Sequence, residues 1–262
     1  MRKRSLLIIG LIIAIVAITL VLWWLLSVRT SDFKIMDEKD KIEQAKQYGD
    51  EVVGWIRVEG TNIDMALIQG TTAQDVTNME YQFAWTNAFP DENSNHPSYI
   101  SHNIRNVSRN PIIDDDSMTR FEQLMAFIYP EFTNENQYIE FTDVTGETAL
   151  YRIYAVALLE DDQSASFYDT FTDEELEEYI KKSKEESMYD MDVDVTKDDL
   201  LLTLYTCTRF YGSGSSYSFR VDARKLRDGE RQTLVDVKTN DNYEPIRERM
   251  EEGVTNDNNQ EA

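Results

Sequence analysis

A mostly-β domain, a barrel or sandwich, set behind an apolar N-terminal helix is the architecture this sequence predicts. Two observations carry the β assignment: short alternating runs bounded by turn-forming residues recur from Val52 to Lys225, and the few helical segments do not alternate with strands in the βαβ manner. With 262 residues and 41% hydrophobic content, the chain has room for one sizeable domain plus tails and an anchor.

The chain opens with Met1-Arg-Lys-Arg and an uncharged run from Leu6 to Leu26, broken only by Gly10 and Thr19 and closed by Trp23-Trp24 and Arg29. At about 1.5 Å per residue, a helix of that length matches a bilayer core of roughly 30 Å. A cleaved signal peptide has an apolar region of about 7–15 residues ending in a small-residue cleavage site; here bulky Trp, Leu and Val stand instead. The expectation is a single-pass transmembrane helix at the cell membrane. Arg2, Lys3 and Arg4 would be cytoplasmic, the tryptophans interfacial and everything after Arg29 extracellular.

Residues 30–50 have loosely helical apolar spacing ending at Gly49 and predict a juxtamembrane helix or stalk, which needs packing support at that length. Val52–Val58 and Ile63–Ile68 flank Glu59-Gly-Thr-Asn62 and predict a hairpin. The polar stretch Gln82–Pro97 predicts a loop before a short strand at Ser98–Ser101. Phe121, Leu124, Met125 and Ile128 recur at helical spacing within 117–130 and predict a helix stopping at Pro130. Gln137–Val144 and Thr148–Leu159, parted by Thr145-Gly-Glu147, predict a second hairpin. Thr172-Asp-Glu-Glu175 is a capping-box pattern opening a helix from about Asp173 to Ser187. Residues 200–207 and 217–225 predict strands joined by a Gly- and Ser-rich loop. After Leu226 hydrophobic density falls, and the last twenty residues have the composition of a disordered acidic tail.

The formal charge of −23 argues against nucleic acid and against an anionic membrane surface as partner. The acidic crowding at Asp114–Asp116, Asp173–Asp194 and beyond Asp241 predicts solvated faces and tails. One Cys and two His make a thiolate- or imidazole-rich metal site untenable, and neither an EF-hand spacing nor a Gly-rich phosphate loop is present. No metal and no cofactor are expected.

Cys207 is the only cysteine, so it closes no internal disulfide and is either an inert buried thiol or a nucleophile. Period-two geometry puts Leu201, Thr203, Tyr205 and Cys207 on one side of their strand, with Leu200, Leu202 and Leu204 expected in the core. In the next strand Arg220 falls on the polar side, so antiparallel pairing across the loop would let Cys207 and Arg220 meet. A thiol with a pKa near 8.5 is only about 3% ionised at neutral pH and needs assistance. An imidazole can take the proton and later protonate a leaving amine, and a guanidinium can stabilise an oxyanion. Of the two histidines, His96 precedes Pro97 in a polar stretch and is expected to be an exposed surface side chain. His102 stands at a strand terminus and is the candidate acid/base.

These residues resemble a known family. Thr203-Leu-Tyr-Thr-Cys207 with Arg220 downstream is similar to the TLxTC-plus-Arg signature of sortases, the cell-wall transpeptidases of Gram-positive bacteria. Gly54–Asp64 followed by Ala66–Gly70, Ile100-Ser-His-Asn103, and Ser166–Ser183 resemble class B members in particular, and the likeness covers residues 35–226. Three departures stand out: Ser101 replaces the Gly usual before the His, 106–116 is longer than usual, and Thr208-Arg209 replaces an acidic residue, leaving Arg209 a rival for the guanidinium role.

The resemblance implies an eight-stranded sortase-type β-barrel with peripheral helices, one of them inserted before the Cys strand. It implies Cys207 as nucleophile, His102 as acid/base and Arg220 as oxyanion or substrate-positioning residue. The neighbouring Asn103, Tyr205 and Thr206 are the substrate-binding candidates. The implied reaction cleaves an LPXTG-like sorting signal on a surface protein or pilin through a thioacyl-enzyme, then transfers it to a cell-wall precursor amine or a pilin lysine. A non-catalytic sortase-like binding module and a plain cysteine hydrolase are the competing expectations. The domain division expected is 1–29 anchor, 30–50 stalk, 51–226 catalytic domain and 227–262 acidic extension.

Overall fold

The computed structural model describes residues 2–36, 39–46, 52–69, 83–86, 94–101, 103, 121–160, 170–208 and 217–241. Ten strands run along these residues: β1 (Val52–Val58), β2 (Asp64–Gln69), β3 (Phe83–Thr86), β4 (Ser98–Ile100), β5 (Tyr138–Asp143), β6 (Thr148–Glu160), β7 (Tyr189–Met191), β8 (Leu201–Thr208), β9 (Tyr217–Lys225) and β10 (Val237–Thr239). Eight of them close a barrel in the order β1-β2-β3-β4-β8-β9-β6-β5, and β7 and β10 form a separate two-stranded sheet. The α-helices are α1 (Arg2–Ser27), α2 (Lys39–Ala45), α3 (Pro130–Glu135) and α4 (Asp173–Glu186).

Both predicted hairpins form, β1–β2 and β5–β6, and their turns place Gly60 at φ 74° and Gly146 at φ 86°, a region that favours glycine. The predicted loop over 82–97 is in part a strand: β3 runs parallel to β2, with Ala66 opposite Phe83, and meets β4 at Trp85 and Ile100. Four residues inside a polar stretch are too few to show periodicity, and the barrel supplies what propensity does not. The helix expected over 117–130 is a 3-10 helix, Phe121–Ile128, with all eight residues buried. Pro130 both ends one helical segment, as expected, and begins another. It forces Tyr129 into the extended region (φ −95°, ψ 121°), breaking the helix there, and then starts α3 at a position whose N–H would be orphaned anyway.

The barrel interior is one apolar cluster built from Ile56, Leu67, Tyr99, Phe127, Ile153, Leu204, Phe219 and Val221 among others. Leu202 and Leu204 take the core as expected, but Leu200 lies just before β8 and is 42% exposed, while Leu201 is buried on the other face. A strand covered on both faces cannot be divided cleanly by alternation. The capping box of α4 forms as predicted, with the Thr172 hydroxyl accepting from the Glu175 N–H and the Glu175 carboxylate from the Thr172 N–H.

Both flanks of the barrel sequence are fastened to it. Ser31 N donates to Gln232 O and Leu234 N to Arg29 O, at 2.9 and 3.0 Å. The Arg29 guanidinium reaches Asn134 and Asp236, and Ser31 donates to the buried Glu59 carboxylate, which also accepts from the Gln137 and Tyr138 amides. Burial pushes the Glu59 carboxyl above the usual range against these bonds. In α2, Ile42 and Ala45 are buried against the barrel. Residues 227–241 also pack: Glu230 receives a bidentate pair from Arg224, and Val235 and Val237 cover the core. The sequence beyond Asp241, the loop 209–216 and the long segment 106–116 lie outside the described residues. Among residues whose side chains are described, no helix is long and apolar enough to cross a membrane; the backbone of α1 runs 26 residues.

Gly54 sits where β1 passes β5, and a Cβ there would stand 2.4 Å from the Thr142 carbonyl oxygen. Backbone cannot yield as a side-chain tip does, so Gly54→Ala is expected to cost about 1–3 kcal/mol, read as a lower urea midpoint at unchanged slope; an unchanged midpoint would show that β1 and β5 can part freely.

Candidate active site

Strand β8 is buried at every position but one. Cys207, near its C-terminal end, is exposed on the barrel's outer face. The register of β8 with β9 sets Cys207 opposite Ser218, Tyr205 opposite Arg220 and Thr203 opposite Asp222. Cys207 and Arg220 are therefore diagonal neighbours on one face, a separation of about 7–8 Å between backbones that long side chains span. The pairing that sequence alternation suggested does form.

Behind the thiol the outer face is covered by α4 and by the segment before β4, and there lies a buried polar network. Asp222, with no solvent access, accepts from Arg220 Nε (2.8 Å), Thr203 Oγ1 (2.7 Å), Tyr179 OH (2.7 Å) and Ser183 Oγ. Arg220, 4% exposed, makes a second ion pair from Nη1 to Glu186 Oε2 at 2.9 Å, and its guanidinium lies 5.7 Å from the centroid of the Tyr179 ring. Burial works to lower the Arg220 pKa, but Asp222, the two tyrosines and Glu186 outweigh it and keep the cation charged. Burial pushes the phenols of Tyr179 and Tyr205 up.

His96 belongs to this network. The expectation of an exposed side chain is overturned: His96 is 1% exposed, its Nε2 lies 2.7 Å from Thr203 Oγ1, and its ring packs at 4.2 Å on Tyr179 and 5.0 Å on Phe171. Burial lowers its pKa to about 4, the nearby Asp222 charge pulling the other way. Polar neighbours in sequence hid this, because the covering residues come from α4 and the segment leading into it, more than seventy positions later.

His102 and Arg209 lie outside the described residues. The residues on either side of His102 are placed. Strand β4 runs parallel to β8 with Ile100 opposite Tyr205, and Ser101 N donates to Tyr205 O (3.3 Å) while Thr206 Oγ1 donates to Ser101 O (2.9 Å). Among the described residues no non-glycine has positive φ, so Ser101, standing where Gly is usual, adopts ordinary backbone. Asn103 is buried. Tyr205 shares the face of Cys207, whereas Thr206 projects to the opposite face, where its hydroxyl fastens the end of β4. Residues that sequence reasoning passed over, Asp222, Glu186, Tyr179 and Ser183, converge on Arg220 or on its partner Asp222; the signal for three of them was their helical spacing of i, i+4, i+7. Among the described residues no group of three or more His, Cys, Asp or Glu could hold a metal.

A closed barrel that displays its one thiol at a strand end, beside a charged arginine, is built for covalent acyl chemistry at sulfur. No family model matches the chain. Among curated proteins, Sortase B of Staphylococcus aureus (strain NCTC 8325 / PS 47) is 24% identical over 179 residues, 66% of this chain and 70% of that one. Among solved structures, Clostridium perfringens sortase B matches with TM-score 0.55 and 22% identity over 71% of this chain and 99% of that one. A Staphylococcus aureus sortase B–substrate complex matches with TM-score 0.58 and 19% identity over 73% and 87%, and a Streptococcus pyogenes class B sortase involved in pilus biogenesis with TM-score 0.55 and 16% identity over 72% and 100%. The fold is that of the sortases. The curated relative and these structures are class B sortases, and this chain is similar to them.

His96 gives the domain a pH-dependent stability with a definite sign. Its folded pKa is about 4, below the roughly 6.5 of an exposed histidine. The unfolded chain therefore binds more protons between those values, and stability present above pH 6.5 is lost as pH falls toward 4. The expected contribution is about 3 kcal/mol. Urea titrations across this range should show a shallower decline for His96→Gln than for the native chain, and equal declines would exclude the buried neutral imidazole.

Proposed function

We propose that this chain is a membrane-anchored sortase that cleaves an LPXTG-like sorting signal and transfers the surface protein to a cell-wall precursor amine. The observation that carries the reading is Cys207, exposed at the end of β8 and diagonal to the charged Arg220. In the proposed reaction the Cys207 thiolate attacks the Thr carbonyl carbon, and the oxyanion that forms accepts a hydrogen bond from the Arg220 guanidinium. The C–N bond then breaks, the departing amine takes a proton from His102, and a thioester is left on sulfur. An acceptor amine attacks that thioester, gives up a proton to His102 and expels the thiolate. The support for His102 is its neighbour: Ser101 is tied to Tyr205 and Thr206, the two residues preceding the thiol. Tyr205, on the same face, is the substrate contact this arrangement favours, and Asn103, following His102, is the second.

The anchoring reading rests on α1. Its 26 residues extend about 39 Å at 1.5 Å per residue, long enough for a bilayer core, with Arg2, Lys3 and Arg4 as the cytoplasmic flank and the barrel outside. Staphylococcus aureus sortase B has been solved with a substrate, and a sortase B has been solved with triglycine, which favours a sorting signal and an amine as the partners here. Transfer to a pilin lysine is the second reading, favoured by the Streptococcus pyogenes neighbour involved in pilus biogenesis.

Incubating the full chain in detergent micelles with LPXTG-type peptides and either triglycine or a pilin bearing a reactive lysine tests both readings. Mass spectrometry should find an acyl adduct on Cys207 and a ligated product, and Cys207→Ala should remove both. Absence of any adduct, or ligation surviving in Cys207→Ala, would turn the reading toward a binding module; product formed only with water would make it a hydrolase.

A further inference from the structure

We propose that Glu186 and Asp222 are positioning residues for Arg220, clamping its guanidinium so that Nη2 is the donor left to meet the acyl group at Cys207. This rests on the reading of Cys207 and Arg220 given above and adds to it the groups that aim the arginine. Of the guanidinium nitrogens, Nε donates a hydrogen bond to Asp222 at 2.8 Å, and Nη1 stands in an ion pair 2.9 Å from Glu186 Oε2 without hydrogen-bond geometry. Among the described residues Nη2 has no hydrogen-bond partner, although the side chain is only 5% exposed. Folded proteins pair nearly all buried donors. A buried donor left unpaired on the strand face that also carries the exposed thiol is a place for an acceptor that the substrate brings.

The clamp is contributed by one stripe of α4. Tyr179, Ser183 and Glu186 recur at i, i+4 and i+7, and each touches Arg220 or Asp222. Glu186 is also the last residue of that helix, where the negative end of the macrodipole disfavours a carboxylate. Its other oxygen faces Lys182 at 3.6 Å, an i,i+4 neighbour on the surface. Local helix energetics thus give little reason for a Glu there, and the arginine gives one. A hydrogen bond at Nε and an ion pair at Nη1 restrict the planar fork before substrate arrives, which is the condition under which a donor stabilises an oxyanion well.

Steady-state ligation by the full chain in micelles distinguishes this role from a structural ion pair. Glu186→Gln lies at the helix end, with the native carboxylate 19% exposed, and should leave the urea midpoint nearly unchanged. It is expected to lower kcat about tenfold with KM within about twofold, since a misaimed donor costs less than its removal. Asp222→Asn should act in the same direction if it folds. In an Arg220→Ala background Glu186→Gln should have no further effect, because its action passes through the arginine. An unchanged kcat in a folded, active Glu186→Gln chain, or the same tenfold loss in the Arg220→Ala background, overturns the clamp while leaving the transpeptidase reading intact. A native chain that never acylates at Cys207 overturns both.

Discussion

A carboxylate without access to water holds the business face of this barrel together. Burying Asp222 alone would be prohibitive, and the protein offsets that by converging four donors on it, from β8 (Thr203), β9 (Arg220) and α4 (Tyr179 and Ser183). Each donor comes from an element that could otherwise slide: α4 is mostly charged on its surface and buries only Leu176, Ile180 and Ser183. The hydrogen bonds therefore do for α4 what apolar area does elsewhere, fixing its rotation and its height over β9. His96 extends the same network to the segment before β4 through Thr203. Because β4 lies beside β8, whatever fixes that segment also fixes the approach to Ser101 and to the edge of the thiol.

The charge arithmetic of this network matters for chemistry. One guanidinium faces two carboxylates, so the buried network behind Cys207 is not simply cationic. In the proposed reaction it would offer a developing oxyanion a directed N–H in a site with little water, not a diffuse positive field. Direction is worth more than net charge where solvent is excluded, because preorganised donors need no rearrangement as charge develops. Cys207 itself is exposed, which leaves room for the proposed carbonyl and a second amine to reach it in turn. A buried aiming device behind an open nucleophile suits a two-step transfer better than a closed pocket would.

Much of the barrel was legible because its strands are either half-buried and alternating or bounded by turn chemistry. Both hairpins, the α4 capping box and the antiparallel approach of Arg220 to Cys207 follow from local pattern and length. What escaped was decided by partners distant in sequence. Strand β3 has four residues and no period to read, and exists because β2 and β4 need a neighbour. His96 looked solvated because burial by Phe171 and Tyr179 leaves no mark on Asn95 or Pro97. Asp222 read as the polar half of an alternating strand, which it is; that the polar half would be roofed by a helix is not a property of β9 at all. Alternation tells which residues share a face, not what covers it.

The same reasoning bears on how the anchor and the nucleophile are related. The segment after α1 was expected to be a juxtamembrane helix or stalk; a helix does form at Lys39–Ala45, but within four residues of the end of α1 the segment is already paired with the C-terminal segment, Arg29 O to Leu234 N and Ser31 N to Gln232 O. That seam is bound in turn to Arg152 on β6 through Arg231 O and Thr233 Oγ1. Arg152 is level with Arg224 and Leu201 across β6, β9 and β8, and Cys207 lies six residues further along β8, roughly 20 Å at 3.3 Å per residue. Anchor seam and thiol thus occupy opposite ends of the same hydrogen-bonded strands. With α1 in the bilayer as proposed, the barrel would be joined to the anchor by a paired seam a few residues from the helix end rather than by a long unpaired tether. Arg29, Ser31 and Glu59 seal that seam, so what joins anchor to barrel is a set of specific bonds, and its integrity would decide how freely the thiol end moves relative to α1.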